Sequence, residues 1–343
     1  MRSSLSARNC IRTIVVLSLA ASGASLNAES IKLVRKSLLL VDQKADATLA
    51  LVDPVSGKVI ASVAENGVTG HEVAASPDGH FAYVPIYGDS GVGSPGTDGA
   101  NIVVIDLAAR KIAGNIAFTH GVRPHCAVFG PDGLLYVTTE LDQTVTVIDP
   151  RTQAIVGAIP TFQPQSHMLA IAHNGLRGYT ANVGPGTVSV LDLKGRKTVA
   201  VIPVSGEVQR IAISADDKWV FTADQTKPEL AVISTATNTV ARRVGLSGLG
   251  YGGAVSPNLS SFLIAIPAAN KVDVVDIASM KVVRSIAVGA SPQEVLVSPD
   301  GKKAYVSCAR ADQVDEIDLG TWKVTRSIAT GKGTDGLGWA KGE

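Results

Sequence analysis

The chain has few of the residues that bind nucleic acids or cross-link a secreted fold. Of its 343 residues, 4% are aromatic and 18% are charged, and lysine and arginine form no continuous run. Nucleic-acid binding depends on a basic surface and on aromatic stacking, so we expect no nucleic-acid partner. Three cysteines, at positions 10, 126 and 308, are too few for a disulfide framework. The sequence also has no P-loop, nucleophile elbow, dinucleotide-binding glycine motif or haem-attachment motif.

The apolar run near the N-terminus is short. It extends from Ile14 to Ala24, follows three arginines, and precedes a plausible cleavage point at Ala28. This order is typical of a secretory signal peptide, and the run is shorter than a membrane span requires. We therefore expect a signal peptide over residues 1–28, with an uncleaved anchor as the alternative. The mature chain, residues 29–343, would be a single domain in the periplasm or outside the cell, without membrane insertion.

A motif of the form I-D-x-x-x-x-K-V recurs along the chain. Its aspartate position falls at Asp53, Asp106, Asp149, Asp192, Ser234, Asp276 and Asp318. The intervals are 53, 43, 43, 42, 42 and 42 residues. A period near 42 is typical of a β-propeller with four strands in each blade. The sequence therefore predicts an all-β fold, a seven-bladed β-propeller.

The repeat also predicts how the ring of blades closes. The first unit contains three predicted strands, over residues 38–41, 48–53 and 58–63, and lacks its innermost strand. The chain ends on an unpaired strand-like segment, residues 335–340. We expect this segment to complete the first blade, because that pairing leaves no open sheet edge between the first and last blades.

The repeat consensus resembles a known family. Segments such as Ala304-Tyr305-Val306, together with the V-x-V-I-D strands, are similar to YVTN-type seven-bladed propellers of secreted and periplasmic bacterial proteins. The resemblance covers essentially all of the mature chain. It implies the fold and leaves the function open, since propellers include enzymes, binding proteins and scaffolds.

One polar position recurs immediately before each innermost strand. It lies six residues before the proline position of the Ser-Pro-Asp-Gly turn and is occupied by His71, His125, His167, Gln209, Tyr251, Gln293 and Asp335. Innermost strands lie side by side around the channel, so these residues should form a ring at one mouth. We expect this ring to bind a small molecule or a protein partner. The sequence does not indicate the ligand or the oligomeric state.

Three of the six histidines fall on this ring, in consecutive blades. Imidazoles from neighbouring strands could bind one divalent metal, copper or zinc, through His71, His125 and His167. They could also act as general bases. Alternatively they are polar groups that cap the channel mouth and bond to backbone or water. The spacing alone leaves all three interpretations open.

Loop topology places further residues on the same face. His120 and Arg123 lie in the connection that leads to His125, and Glu140 ends a neighbouring strand. The 54-residue interval between His71 and His125 indicates a 12-residue insertion within residues 87–101. The insertion is rich in glycine and belongs to the blade of His71. We expect either a lid over the site or a tolerated surface loop.

A second resemblance suggests catalysis. Pro124-His125, Pro131-Asp132-Gly133 and the stretch from Glu140 to Val145 are similar to a segment of the seven-bladed lactonase family, as is the stretch from His71 to Asp89. The resemblance implies a histidine and a glutamate, His71 and Glu140, acting on a ring ester. It also implies an arginine that holds a substrate carboxylate. Asp224-Gln225 departs from the family pattern at the expected arginine, and Arg123 and Arg210 are possible substitutes.

Overall fold

The computed structural model describes residues 36–342. Residues 1–35 and 343 lie outside the described residues, and so does the expected signal peptide. The described residues form seven antiparallel sheets of four strands each, arranged as the blades of a β-propeller. The predicted all-β, seven-bladed fold is therefore confirmed.

The first blade is built from both ends of the chain, and the other blades follow in sequence order. Blade 1 contains β1 (Leu38–Gln43), β2 (Thr48–Asp53), β3 (Lys58–Ala64) and the last strand, β28 (Thr334–Ala340). Blade 2 contains β4 (Ala74–Ala75), β5 (Phe81–Gly88), β6 (Asp98–Asp106) and β7 (Lys111–Ala117). Blade 3 contains β8 (Pro124–Phe129), β9 (Leu135–Thr139), β10 (Thr144–Asp149) and β11 (Ala154–Pro160). Blade 4 contains β12 (Ser166–Ile171), β13 (Arg177–Asn182), β14 (Thr187–Asp192) and β15 (Lys197–Pro203).

The remaining three blades complete the ring. Blade 5 contains β16 (Val208–Ile213), β17 (Trp219–Asp224), β18 (Glu229–Ser234) and β19 (Thr239–Gly245). Blade 6 contains β20 (Gly253–Val255), β21 (Ser261–Ile266), β22 (Lys271–Asp276) and β23 (Lys281–Ala287), with a 3-10 turn at Pro267–Ala269. Blade 7 contains β24 (Pro292–Val297), β25 (Lys303–Cys308), β26 (Gln313–Asp318) and β27 (Lys323–Ala329).

The repeat aspartate has a local structural role. Its carboxylate follows the third strand and accepts hydrogen bonds from backbone amides of the next turn. Asp53 Oδ1 accepts from Val55 at 2.9 Å, Asp106 Oδ1 from Ala109 at 2.8 Å, and Asp318 Oδ1 from Thr321 at 2.7 Å. Such bonds fix the tight turn into the outermost strand. The motif is thus a fold signature rather than a site.

The ring closes as the sequence predicts. Strand β28 pairs antiparallel with β1, with Leu39 opposite Trp339 and Val41 opposite Leu337. Leu39, Val41 and Leu337 are buried in a cluster that also contains Tyr305 of blade 7. The C-terminal strand therefore completes the first blade through backbone hydrogen bonds and contacts the last blade through apolar packing.

Two further expectations concern cysteine and membrane insertion. Cys126 and Cys308 are buried free thiols. Within residues 36–342, no helix has the length and apolar character needed to cross a bilayer.

The closing strand should contribute strongly to stability. We expect Leu337→Ala to lower the free energy of unfolding by about 2–4 kcal/mol, because it leaves a cavity where blades 7 and 1 meet. Urea denaturation measures the change. Val55→Ala is the matched control, since Val55 is 83% exposed and its truncation should have no measurable effect. A Leu337→Ala variant as stable as the control would contradict closure by this strand.

Candidate functional site at the channel mouth

The innermost strands are irregular at the ring position. In blades 3, 4, 5 and 7 the pairing register of the innermost strand shifts there, for example between Val208 and Ile211. The shift leaves carbonyl groups that need other partners. Thr222 Oγ1 lies 3.0 Å from Gln209 O and 2.9 Å from Arg210 O, within donating distance of both. Both Gln209 and Arg210 line the channel cavity, so the bulge presents two consecutive side chains to it.

All seven ring positions line one cavity at the mouth of the channel. Its volume is about 320 Å³, at the small end of ligand-binding sites. The ring residues in its wall are His71, His125, His167, Gln209, Tyr251, Gln293 and Asp335. Lys44, Tyr87 and Arg210 also contribute to the wall. The spacing therefore predicted correctly which side chains lie together, while their role in binding stays a prediction.

The three histidines pack as a continuous aromatic cluster around Tyr87. The rings of His125 and His167 lie 3.5 Å apart at 32°, and those of His71 and His125 meet edge to face at 5.4 Å. Tyr87 lies 4.8 Å from His71 and 5.1 Å from His125. Within residues 36–342, no set of three or more histidine, cysteine or acidic side chains has the geometry of a metal site. The His125 and His167 rings lie nearly face to face, whereas His71 meets His125 with its edge.

Burial keeps the cluster uncharged at neutral pH. It lowers the pKa of His71 and His125 well below the usual range, and cationic neighbours lower both further. Burial also lowers the pKa of His167, although the Glu140 carboxylate opposes this. Neutral imidazoles offer one donor and one acceptor each, which suits hydrogen bonding to a polar ligand.

Glu140 lies behind Tyr87 and His167. The Tyr87 hydroxyl donates to Glu140 Oε2 at 2.5 Å, and His167 Nδ1 lies 3.6 Å from the same oxygen. Burial raises the pKa of Glu140, but its contacts with His167 and Tyr87 lower it more, so the carboxylate is ionised. Glu140 therefore positions two members of the cavity wall.

Arg123 and His120, the other two residues predicted for this face, differ from each other in position. Arg123 is buried beside Glu140, with Nη1 3.8 Å from Oε1, and its Nε donates to Asp98 at 2.6 Å. His120 is 60% exposed and contacts Asp142 on the outer surface at 2.8 Å. Arg123 thus supports the wall, whereas His120 does not join the cavity.

The inserted loop covers part of the cavity. It connects β5 and β6, and Gly91 and Val92 line the cavity. The backbone amide of Gly93 donates to Glu140 Oε1 at 3.1 Å, and Ser94 O accepts from Arg123 Nη2 at 2.8 Å. The loop is therefore held over the mouth by the two charged residues behind the wall.

A buried ion cluster crosses the channel and includes the ring residue Asp335. Arg210 of blade 5 extends across the channel to Glu72 of blade 2, Glu294 of blade 7 and Asp335 of blade 1. The Arg210 Nη2–Asp335 Oδ1 distance is 3.1 Å and the Nη1–Glu294 Oε2 distance 3.7 Å. Burial lowers the pKa of Arg210, but the three carboxylates raise it more, so the guanidinium stays charged. The cavity is consequently a cup with a charged floor.

The ion cluster has a signal in the sequence, one position beyond the ring residues. The position directly after the ring holds Glu72, Arg210 and Glu294 in strands that are otherwise largely apolar. Charged residues at one position of the repeat indicate that their side chains lie at the same height in the channel. Tyr87 and Lys44 carried no such signal, because they belong to the second strand and to a loop.

The fold and site define a seven-bladed propeller with a polar cup at one mouth of its channel. No family model matches the chain, and no curated protein matches it. It is similar to the solved structure of hydrazine synthase from Kuenenia stuttgartiensis, with a TM-score of 0.69 and 21% identity, over 81% of this chain and 94% of that one. It is also similar to a functionally unknown protein from Desulfotomaculum acetoxidans, with a TM-score of 0.73 and 13% identity, over 89% of this chain and 99% of that one. These similarities establish the propeller fold alone.

The Arg210 cluster makes stability depend on pH. Burial raises the pKa of Glu72 and Glu294, and Arg210 opposes both shifts. A raised folded pKa contributes stability at low pH that is lost as the pH rises through it. Arg210→Met raises both pKa values further, so we expect it to cost about 3–5 kcal/mol at pH 8 and less at pH 5.

Urea denaturation at the two pH values measures this difference. Arg151→Met is the matched control, because Arg151 is 85% exposed and forms a surface ion pair with Asp149. It should have no measurable effect at either pH. An equal loss at pH 5 and pH 8 for Arg210→Met would show that the cluster does not govern the pH dependence.

Proposed function

We propose that this protein binds one small polar molecule in the cup at the channel mouth. The observation that carries the proposal is a set of buried polar atoms in the cavity wall that lack partners. His71 Nε2, His125 Nδ1 and Gln209 Oε1 have no hydrogen-bond partner within residues 36–342. Leaving such atoms unpaired costs about 1–3 kcal/mol each. A ligand that bonds to them recovers this energy.

The shape of the site supports a small ligand over a protein partner. The cavity of about 320 Å³ is partly covered by Gly91 and Val92 of the inserted loop. A shallower pocket of about 570 Å³ shares Lys44, Gln293 and Asp335 with it and leads towards blades 7 and 1. A small molecule has room to enter there, whereas a protein surface meets the loop first.

Replacing the His125 imidazole by an apolar ring should weaken binding without emptying the wall. We expect His125→Phe to lower the affinity of every ligand of the cup at least about tenfold, because an aromatic ring remains while the hydrogen bonds of the imidazole are lost. Thermal-shift screening of small polar metabolites, with copper and zinc salts included, identifies ligands. Isothermal titration then measures affinity and should give one site per chain.

The matched control is His80→Phe, since His80 is exposed in a turn on the opposite face. It should bind as the wild type does. Ligands that bind His125→Phe and wild type equally would place the binding site elsewhere. Copper or zinc as the one stoichiometric ligand would favour the metal interpretation of the histidine ring.

A second candidate function is acid–base hydrolysis of a ring ester, which the lactonase resemblance suggests. The favouring observation is the contact between Glu140 and Nδ1 of His167. If this 3.6 Å contact shortens to a hydrogen bond when a substrate binds, it would direct Nε2 away from the carboxylate, as in hydrolase pairs where an acid orients a histidine base. We place the base at His167, with Glu140 as a positioning residue and His71 in contact with the substrate.

If the cup is catalytic, Glu140→Gln should slow lactone hydrolysis at least about tenfold. It should also move the acidic limb of the pH–rate profile to lower pH, since the carboxylate raises the pKa of His167. Asp142→Asn is the matched control, because Asp142 pairs with His120 outside the cavity. Equal rates and equal profiles for wild type and Glu140→Gln would remove the role assigned to Glu140.

A further inference from the structure

We infer that the ligand of the cup is a small carboxylate, held between the ammonium group of Lys44 and the imidazoles of His71 and His125. The inference rests on the binding function proposed above and adds the chemical class of the ligand. It follows from how the charges of the cavity wall are already engaged.

The acidic groups of the wall have partners or lie at its rim. Asp335 is paired with Arg210, with its Oδ1 3.1 Å from Nη2. Glu140, behind the wall, accepts from Tyr87 and from the backbone of the inserted loop. Glu207 lines the cavity from an exposed position on the side of blade 5.

The side of the cup formed by blades 1, 2 and 3 has the opposite character. Its one acidic lining group, Asp335, is paired with Arg210. Its other ionisable lining groups, apart from the Tyr87 phenol, are the bases Lys44, His71 and His125. Lys44 and His71 line the same cavity, and the Lys44 charge lowers the pKa of His71. Lys44 has no ion-pair partner within residues 36–342. A positive charge therefore faces the cavity beside two neutral imidazoles.

A carboxylate fits this set of donors. Its two oxygens accept several hydrogen bonds, and charge-assisted bonds are stronger than neutral ones. The imidazoles of His71 and His125 meet edge to face at 5.4 Å, so one group can reach both. A neutral amide of the same shape offers one acceptor oxygen and one NH₂ group. The NH₂ group and the Lys44 ammonium are both hydrogen-bond donors, so their contact is unfavourable.

Matched acids and amides test the inference directly. Isothermal titration would compare propionate, lactate, malonate, succinate and benzoate with the corresponding amides, and would include inorganic phosphate and sulfate. We expect at least one acid to bind with one site per chain and at least about tenfold more tightly than its amide. Lys44→Gln should remove this preference, and Lys44→Arg should retain it because the charge remains.

The control variant is Lys302→Gln, which makes the same change in an exposed turn on the opposite face. It should leave the preference unchanged. An amide that binds as tightly as its acid would overturn the carboxylate assignment while leaving the binding function intact. Binding of phosphate or sulfate without any carboxylate would also overturn it. The carboxylate assignment would also be overturned if screening found a cup ligand that is neither acid nor amide and that binds Lys44→Gln and wild type equally. If screening found no ligand for the cup at all, that result would contradict the proposed function itself.

Discussion

The pairing of β28 with β1 is the constraint on which the rest of this structure depends. It joins the two ends of the chain into one sheet and turns a row of blades into a closed ring. The same strand contributes Asp335, the seventh ring residue and a partner of Arg210. Closure and site formation are therefore one event, because neither the cup nor its charged floor exists until the C-terminal strand is in place.

The channel of this propeller is polar where a protein interior is usually apolar, and local irregularity makes this possible. The register shift in the innermost strands presents two consecutive side chains inward, one to the ring and one to the floor. Hydroxyl groups of the second strand, such as that of Thr222, lie within reach of the carbonyls that the shift leaves unpaired. The Arg210 guanidinium stabilises carboxylates whose burial would otherwise favour protonation. Among the buried polar atoms left unpaired are those of His71, His125 and Gln209, whose side chains line the cavity, and this is why the cavity suits a polar ligand.

The inserted loop and the wall behind the histidines form a connected unit. Glu140 contacts Tyr87, His167 and the backbone of Gly93, so one carboxylate links the second strand, a neighbouring innermost strand and the loop. Arg123 adds a second link through Ser94. The residue that resembles a catalytic glutamate in sequence therefore lies where these three elements meet, and its catalytic role stays a prediction. The loop is anchored to the site rather than tolerated beside it.

The sequence by itself determined the number of blades, the closing strand and the identity of the seven ring residues, because each repeat follows the same register and equivalent positions must lie at equal height. It also placed His71, His125 and His167 in adjacent blades. Only the tertiary structure decided which way these side chains point, since that depends on bulges and on packing against Tyr87. It separated Arg123 and Glu140, which support the wall, from His120, which lies on the outer surface. It also brought Arg210 to the carboxylates of Glu72, Glu294 and Asp335 in three other blades, and no local pattern records contacts between positions so distant in sequence.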